Sequence, residues 1–417
     1  MLQSNRISIS TFSLLALLTL FSSCDSETSS VSPSPTDTLT TTSPVETNSP
    51  NADYQPAFEG QTRINGVVTE TEYNVEEFAS GIINPWGMAN LPDGRILVTE
   101  KAGTMRIVSL TGEVSNAITG IPEVNSNGQG GLLDVAVDPN FTNNRMIYWS
   151  FSQNGANGTA TAVAKGNLSD DETQIENSLV IYTALPEFNG NLHYGSRLVW
   201  DGEGNLFVST GERSSTVTRP EAQELDAALG KVLHITTDGD PVSDNPFINQ
   251  DGALPEIYSY GHRNVQGLAI HPVTGDLWEA ELGPRGGDEV NLIEPGNDYG
   301  WPAISYGLEY SGESIGQGIT QQNGMEQPVY YWDPVVSPSG ITFYTGNLIN
   351  EWSNNLFLAA LSGQHIVRLV IKDNEVIGEE RLLEGEGHRF RDVLEGIDGA
   401  LYALSDESNG RIFRIGL

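Results

Sequence analysis

Asp93-Gly94-Arg95-Ile96-Leu97-Val98-Thr99-Glu100 is a polar turn followed by a short apolar run that closes on a hydroxyl and a carboxylate. The same design returns along the chain. Asn143-Asn144-Arg145-Met146-Ile147-Tyr148-Trp149-Ser150, Gly204-Asn205-Leu206-Phe207-Val208-Ser209-Thr210-Gly211 and Gly275-Asp276-Leu277-Trp278-Glu279-Ala280-Glu281 carry it through the middle. Asn354-Asn355-Leu356-Phe357-Leu358-Ala359-Ala360 and Asp398-Gly399-Ala400-Leu401-Tyr402-Ala403-Leu404 carry it to the end. Asp, Asn and Gly suit tight turns, and the β-branched and aromatic residues suit extended backbone. A further strand follows some copies, as in Thr104-Met105-Arg106-Ile107-Val108 and Gly410-Arg411-Ile412-Phe413-Arg414-Ile415. Helical periodicity is scarce from about residue 60 onward, so the pattern is all-β.

The spacing of about 45 to 80 residues suits propeller blades with loop insertions. Six copies predict a six-bladed β-propeller with four-stranded blades, spanning residues 59–417. A β-sandwich or two smaller β domains is the alternative. The propeller is preferred because the copies run through the whole region with no linker between them. Functional residues of a propeller gather on loops at one mouth of the channel. They should therefore be scattered in sequence, about one set per blade.

Of 417 residues, 55 are acidic and 20 basic, for a formal net charge of −35. Such a surface repels phosphate backbones and anionic lipid, which argues against nucleic-acid binding. Arg6 precedes an apolar run from Phe12 to Phe21, too short to span a bilayer. Residues 1–24 therefore read as a signal peptide. Cys24, the only cysteine, follows Leu20-Phe21-Ser22-Ser23 in a lipobox-like context. An exported protein, periplasmic or cell-surface and lipid-anchored at Cys24, is expected; an ordinary secretory signal is the alternative. Residues 25–58, rich in Ser, Thr and Pro, read as a disordered linker.

Several loop motifs stand apart from the repeat. They are Gly128-Gln129-Gly130-Gly131, Leu192-His193-Tyr194-Gly195-Ser196-Arg197 and Tyr260-Gly261-His262-Arg263-Asn264. Further on lie Glu281-Leu282-Gly283-Pro284-Arg285-Gly286-Gly287-Asp288-Glu289, Asn297-Asp298-Tyr299-Gly300-Trp301-Pro302 and Arg389-Phe390-Arg391-Asp392. Taken singly, each has an ordinary explanation. His193 has the ordinary pKa of a general base, but such a residue taken alone is more often a structural histidine. Glu212 is an orienting carboxylate or a solvent-facing charge at a blade end. Arg389 and Arg391 share a face if extended, as an anion cradle or as surface balance for an acidic chain. Gly283-Pro284 is a common turn. Gln129 and Asn264 pass for loop amides, and Glu289 for a structural acid.

Together and in this order, from about residue 75 to the end, these motifs resemble the soluble PQQ-dependent glucose/sorbosone dehydrogenase family, of the aldose sugar dehydrogenase type. The resemblance implies a catalytic trio of His193 as base, Glu212 as its partner and Arg263 near the reacting quinone oxygen. It implies that Gln129, Arg263, Asn264, Arg389 and Arg391 hold PQQ, a planar quinone with three carboxylates. It further implies Ca2+ on the carbonyls of Gly283 and Pro284, and a second calcium at Glu289 and the Tyr299 carbonyl. The implied reaction takes an aldose to its aldonolactone and passes electrons to an external acceptor. Some members carry a cofactor-contacting lysine where this chain has Ser362, and substrate-pocket residues differ around Trp332-Asp333-Pro334. Other readings of the scaffold are a non-catalytic propeller that binds sugar or protein, and a calcium-dependent propeller lactonase. No Gly-x-Gly-x-x-Gly lies between a strand and a helix, which disfavours a nicotinamide dehydrogenase.

Overall fold

A computed structural model describes residues 43–417. The expected leader with Cys24, and the linker as far as residue 42, lie outside the described residues. The described chain forms six antiparallel sheets arranged as a propeller. Blade 1 is Pro85–Asn90, Ile96–Glu100 and Thr104–Val108; blade 2 is Leu132–Val137, Met146–Asn154, Thr159–Leu168 and Ile175–Thr183. Blade 3 is Leu198–Trp200, Leu206–Ser209, Lys231–Ile235 and Ile257–Tyr260; blade 4 is Val265–Ile270, Leu277–Glu281, Asp288–Ile293 and Tyr330–Trp332. Blade 5 is Pro338–Phe343, Leu356–Ala360, His365–Lys372 and Glu375–Leu382. Blade 6 takes Phe390–Glu395, Leu401–Ser405 and Gly410–Gly416 from the C-terminal end and Asn74–Ile82 from the N-terminal side. The innermost strand of each blade touches those of both neighbours, which closes a ring.

Each repeat copy forms the second strand of a different blade. Blades stack face to face, so a second strand is covered on both sides and reads as a continuous apolar run rather than an alternation. Leu356–Ala360 and Leu401–Ser405 are buried throughout. Between blades 1 and 2, Leu97, Met105 and Ile107 meet Leu132, Ile147 and Trp149 in one core. Burying each such side chain is worth roughly 1.5–3 kcal/mol. Blade 1 departs from the expected four strands. Its outer position is taken by an irregular segment that bridges the sheet at Val108–Val114 and Met105–Ile118 and bonds Ile107 through Ser115.

A buried arginine ties four inner strands together. Arg197 Nη1 lies 2.8 Å from Asp134 of blade 2 and 3.2 Å from Asp392 of blade 6. Its Nε donates to the Gln266 carbonyl of blade 4 at 2.9 Å. One correction to the sequence reading concerns residues 43–58, assigned by composition to the linker. Glu46 pairs with Arg381 of blade 5 at 2.9 Å, and Asp333 accepts the Asn51 and Ala52 amides at 2.9 and 3.0 Å. Specific polar anchors hold this segment on the propeller despite its scarcity of apolar side chains. The same bonds use Asp333 to clamp the chain, and Trp332 is buried, donating to Glu379 at 3.2 Å.

Candidate active site

Inner strands begin, and second strands end, at the same mouth of the channel. Here the loop before blade 3 presents His193. Its backbone is left-handed, with φ +49°, a conformation that needs support in a non-glycine residue. Gln129 Oε1 accepts the His193 amide at 2.8 Å. Two residues on, Gly195 has φ +63°, and a Cβ there would meet the Thr210 backbone at 2.5 Å. Glycine is therefore required for the turn to pass over the end of the second strand.

That strand leads directly to Glu212. Its Oε1 lies 2.7 Å from His193 Nδ1 and also accepts the Ser214 amide at 3.1 Å. The pair is buried, His193 being 5% and Glu212 1% exposed. Burial, helped by the positive charge of Arg263, pushes the His193 pKa down to about 4 against the pull of Glu212. The imidazole is thus neutral at ordinary pH. A neutral ring beside a carboxylate donates from Nδ1, which leaves Nε2 as the basic nitrogen.

Arg263 and Asn264 precede the inner strand of blade 4. The Arg263 carbonyl accepts the Glu212 amide at 2.9 Å, and Asn264 Oδ1 accepts the Gly195 amide at 3.0 Å. The guanidinium donates to the Leu282 and Gly283 carbonyls at 2.7 and 3.1 Å and lies over the Trp301 ring. Glu281 Oε2 accepts both the Arg263 and Asn264 amides, at 2.6 and 3.1 Å. Buried Arg263 Nε, Asn264 Nδ2 and Glu212 Oε2 have no hydrogen-bond partner among the described residues. Unpaired buried polar atoms are costly, so such a concentration marks a site built for something else to fill.

Arg389 and Arg391 do share a face. Both bind Asp406, at 2.9 Å each, and Arg391 also donates to Gln266 at 3.0 Å. They line a cleft of about 360 Å3 together with Gln129, Lys101, Trp86, Gln266, Leu282, Ser337, Leu361 and Asp406. Gln129 joins the two halves of the site, since it lines the cleft and holds the His193 backbone. Trp86 is flanked by Arg197 at 4.6 Å and Arg391 at 5.7 Å.

The metal candidates divide. Gly283 is pinned by Asp288, whose other oxygen accepts the Val336 and Ser337 amides at 2.7 and 2.6 Å. Its carbonyl already receives Arg263, so a cation there would share that oxygen. Glu289, Glu281, Tyr299 and Ser305, with Arg263 also on the wall, surround a small cavity of about 10 Å3, close to the volume of one water or one bare ion. Burial and the neighbouring Glu281 carboxylate push Glu289 up. The Tyr299 ring is structural, stacked on His262 at 4.8 Å and donating its hydroxyl to the Leu292 carbonyl. Ser362 bonds to Ser337 at 2.7 Å.

Sequence reasoning missed Lys101, Leu282, Leu361 and Asp406 in the cleft. A signal for them existed. Each is the residue immediately after the second strand of its blade.

The profile of the Glucose / Sorbosone dehydrogenase family matches residues 82–414. The chain is 40% identical over 345 residues to the aldose sugar dehydrogenase YliI of Escherichia coli, across 82% of this chain and 92% of that protein. The apo crystal structure of the soluble aldose sugar dehydrogenase from Escherichia coli is similar with a TM-score of 0.79 at 39% identity, covering 83% of this chain and 99% of that one. The PQQ-bound aldose sugar dehydrogenase of Streptomyces coelicolor is similar with a TM-score of 0.68 at 28% identity, covering 84% and 100% of the two chains. With the motifs in order, the six blades closed and the histidine–carboxylate pair at the mouth, this chain belongs to the glucose/sorbosone dehydrogenase family.

Proposed function

We propose that the protein oxidises aldose sugars at C1 to aldonolactones, using bound PQQ and Ca2+, and passes the electrons to an external acceptor. The observation that carries this reading is the buried His193–Glu212 pair beside a cation-lined cleft. The donor set fits the cofactor. Arg389, Arg391 and Gln129 suit carboxylate and carbonyl oxygens, and the unpartnered Arg263 Nε and Asn264 Nδ2 await acceptors. Oxygen donors also fit calcium, at the cavity beside Glu289 and at Gly283-Pro284 if Arg263 shares the Gly283 carbonyl. When bound, PQQ supplies an electrophilic quinone that accepts the C1 hydride.

The remaining work falls to the chain. His193 Nε2 takes the proton of the C1 hydroxyl as C1 becomes a carbonyl carbon. Glu212 fixes the ring through Nδ1 and stabilises the imidazolium that results. Arg263 sets a positive field at the reacting end of the site. Gln129, itself on the cleft wall, holds the His193 backbone in its strained conformation and so fixes where the ring sits.

The test is reconstitution of apo-protein with PQQ and Ca2+, followed by dye reduction with a panel of aldoses. Cofactor-dependent activity is expected, and His193→Ala should remove about 10²–10⁴-fold of it. Absence of PQQ binding at micromolar cofactor would sink the assignment in favour of a binding propeller or lactonase. Full activity in His193→Ala would sink only the role of the base. Export with lipid attachment at Cys24 is part of the proposal. Mass spectrometry of the mature N-terminus, or release of Cys24→Ala from membranes, checks it.

A further inference from the structure

The cleft has more positive charge than its own carboxylate can balance. Lys101, Arg389 and Arg391 line it, and Asp406 is the one acidic residue of the lining. Both arginines are partly engaged by Asp406 in ion pairs. Lys101 is not. Its ammonium donates to the Gly128 carbonyl at 2.9 Å and forms no ion pair among the described residues. An ammonium has three donors, so two remain for something in the cleft. The chain as a whole carries a net charge of −35, yet Asp406 acts on this cation only across the cleft, without forming an ion pair.

Its placement is fixed from the backbone. The Lys101 amide donates to the Asn84 carbonyl at 3.1 Å, and its carbonyl accepts the Leu132 amide at 3.0 Å. These bonds hold the stem at the junction of blades 1 and 2, so the ammonium reaches the cleft from the blade next to the arginine pair. Burial and the repulsion of Arg391 push the Lys101 pKa down. A bound carboxylate would relieve both.

We infer that Lys101 is a third cationic anchor of the cofactor site, gripping one carboxylate of PQQ while Arg389 and Arg391 serve another. The inference rests on the PQQ reading above. It also explains how the cleft does without a lysine at Ser362, whose hydroxyl is turned to Ser337. The competing role for Lys101 is structural, as a clamp on the Gly128–Gln129 loop.

Three measurements on the full folded domain separate these roles. PQQ binding to apo-protein is followed with Ca2+ present by quenching of tryptophan fluorescence, Trp86 being in the cleft. Lys101→Met should weaken binding about tenfold, the effect of one charge-assisted hydrogen bond. Lys101→Arg should stay within about threefold of wild type, because charge and reach are kept. Acylation of Lys101 by an amine-reactive probe, read by mass spectrometry, should fall several-fold when PQQ is added. Binding by Lys101→Met within twofold of wild type overturns the inference, as does labelling that PQQ leaves unchanged. If wild type itself fails to bind PQQ, the cofactor reading falls and takes this inference with it. Equal binding by wild type and Lys101→Met removes Lys101 alone.

Discussion

Replacing Glu212 by glutamine isolates what its charge does. The amide is nearly isosteric, and its oxygen can take the place of Oε1, accepting Nδ1–H of His193 at 2.7 Å and the Ser214 amide at 3.1 Å. The amide nitrogen then occupies the place of Oε2, which has no partner among the described residues. Geometry is therefore kept while the negative charge is lost. A hydrogen bond to a charged group is worth about 1.5–3 kcal/mol and a neutral one about 0.5–1.5, so the difference is roughly 1–2 kcal/mol. That difference is felt when His193 becomes an imidazolium facing Arg263, which implies a fall in kcat of about 5–30-fold. The His193 pKa, already near 4, should drop further. The assay is dye reduction by the PQQ- and calcium-loaded enzyme across pH, with PQQ affinity measured alongside. Wild type should lose kcat/KM only as pH approaches about 4, where the base is protonated. A Glu212→Gln enzyme with unaltered kcat and unaltered acid limb, and native PQQ affinity, would refute the reasoning. A variant that had merely lost PQQ would point to structural damage instead.

Other outcomes follow from the same coordinates. His365 is buried with its pKa pushed down to about 4, chiefly by desolvation. The unfolded chain therefore binds a proton near pH 5 that the folded one refuses, and stability falls with pH from about 6.5 towards 4. This one group should cost about 2 kcal/mol between pH 7 and pH 5, so urea unfolding of His365→Gln should show a weaker acid loss than wild type. Arg197→Met leaves Asp134 and Asp392 facing each other in the channel and should destabilise by roughly 3–5 kcal/mol in the same assay. Arg389→Ala removes a side chain that is 44% exposed and should leave stability within about 0.5 kcal/mol while weakening PQQ binding. Gly195→Ala places a methyl group 2.5 Å from the Thr210 backbone at positive φ, so thermal unfolding should report a loss of more than about 1 kcal/mol together with lower activity.

What the sequence makes legible depends on how many sides of a residue are covered. Second strands such as Leu356–Ala360 are buried on both faces, so their apolar runs stand out and can be counted. Outer strands such as Ile175–Thr183 are largely exposed and leave little trace. The chemical motifs were readable because His193, Arg263 and the Arg389–Arg391 pair combine unusual residue types with fixed neighbours. The residues lining the rest of the cleft were not, because Lys101, Leu282, Leu361 and Asp406 share only a register, one step past a strand end, and have no residue type in common. Segment 43–58 misled composition for a different reason. Its hold comes from a few carboxylate contacts, at Glu46 and Asp333, rather than from apolar area.

The mixed parentage of blade 6 gives the molecule an unusual dependence on its own last residues. Asn74–Ile82 is made early and has no partner until Gly410–Gly416 has been synthesised. Until then the last blade is split, with one unpaired edge along Asn74–Ile82 and another along Leu401–Ser405. Such edges invite pairing with other chains. A break within the final stretch would therefore not trim the propeller slightly. It would unlatch the circle, splay the mouth where blades 6 and 1 bring Arg391 and Lys101 together, and convert a sealed molecule into one that adds strands from its neighbours.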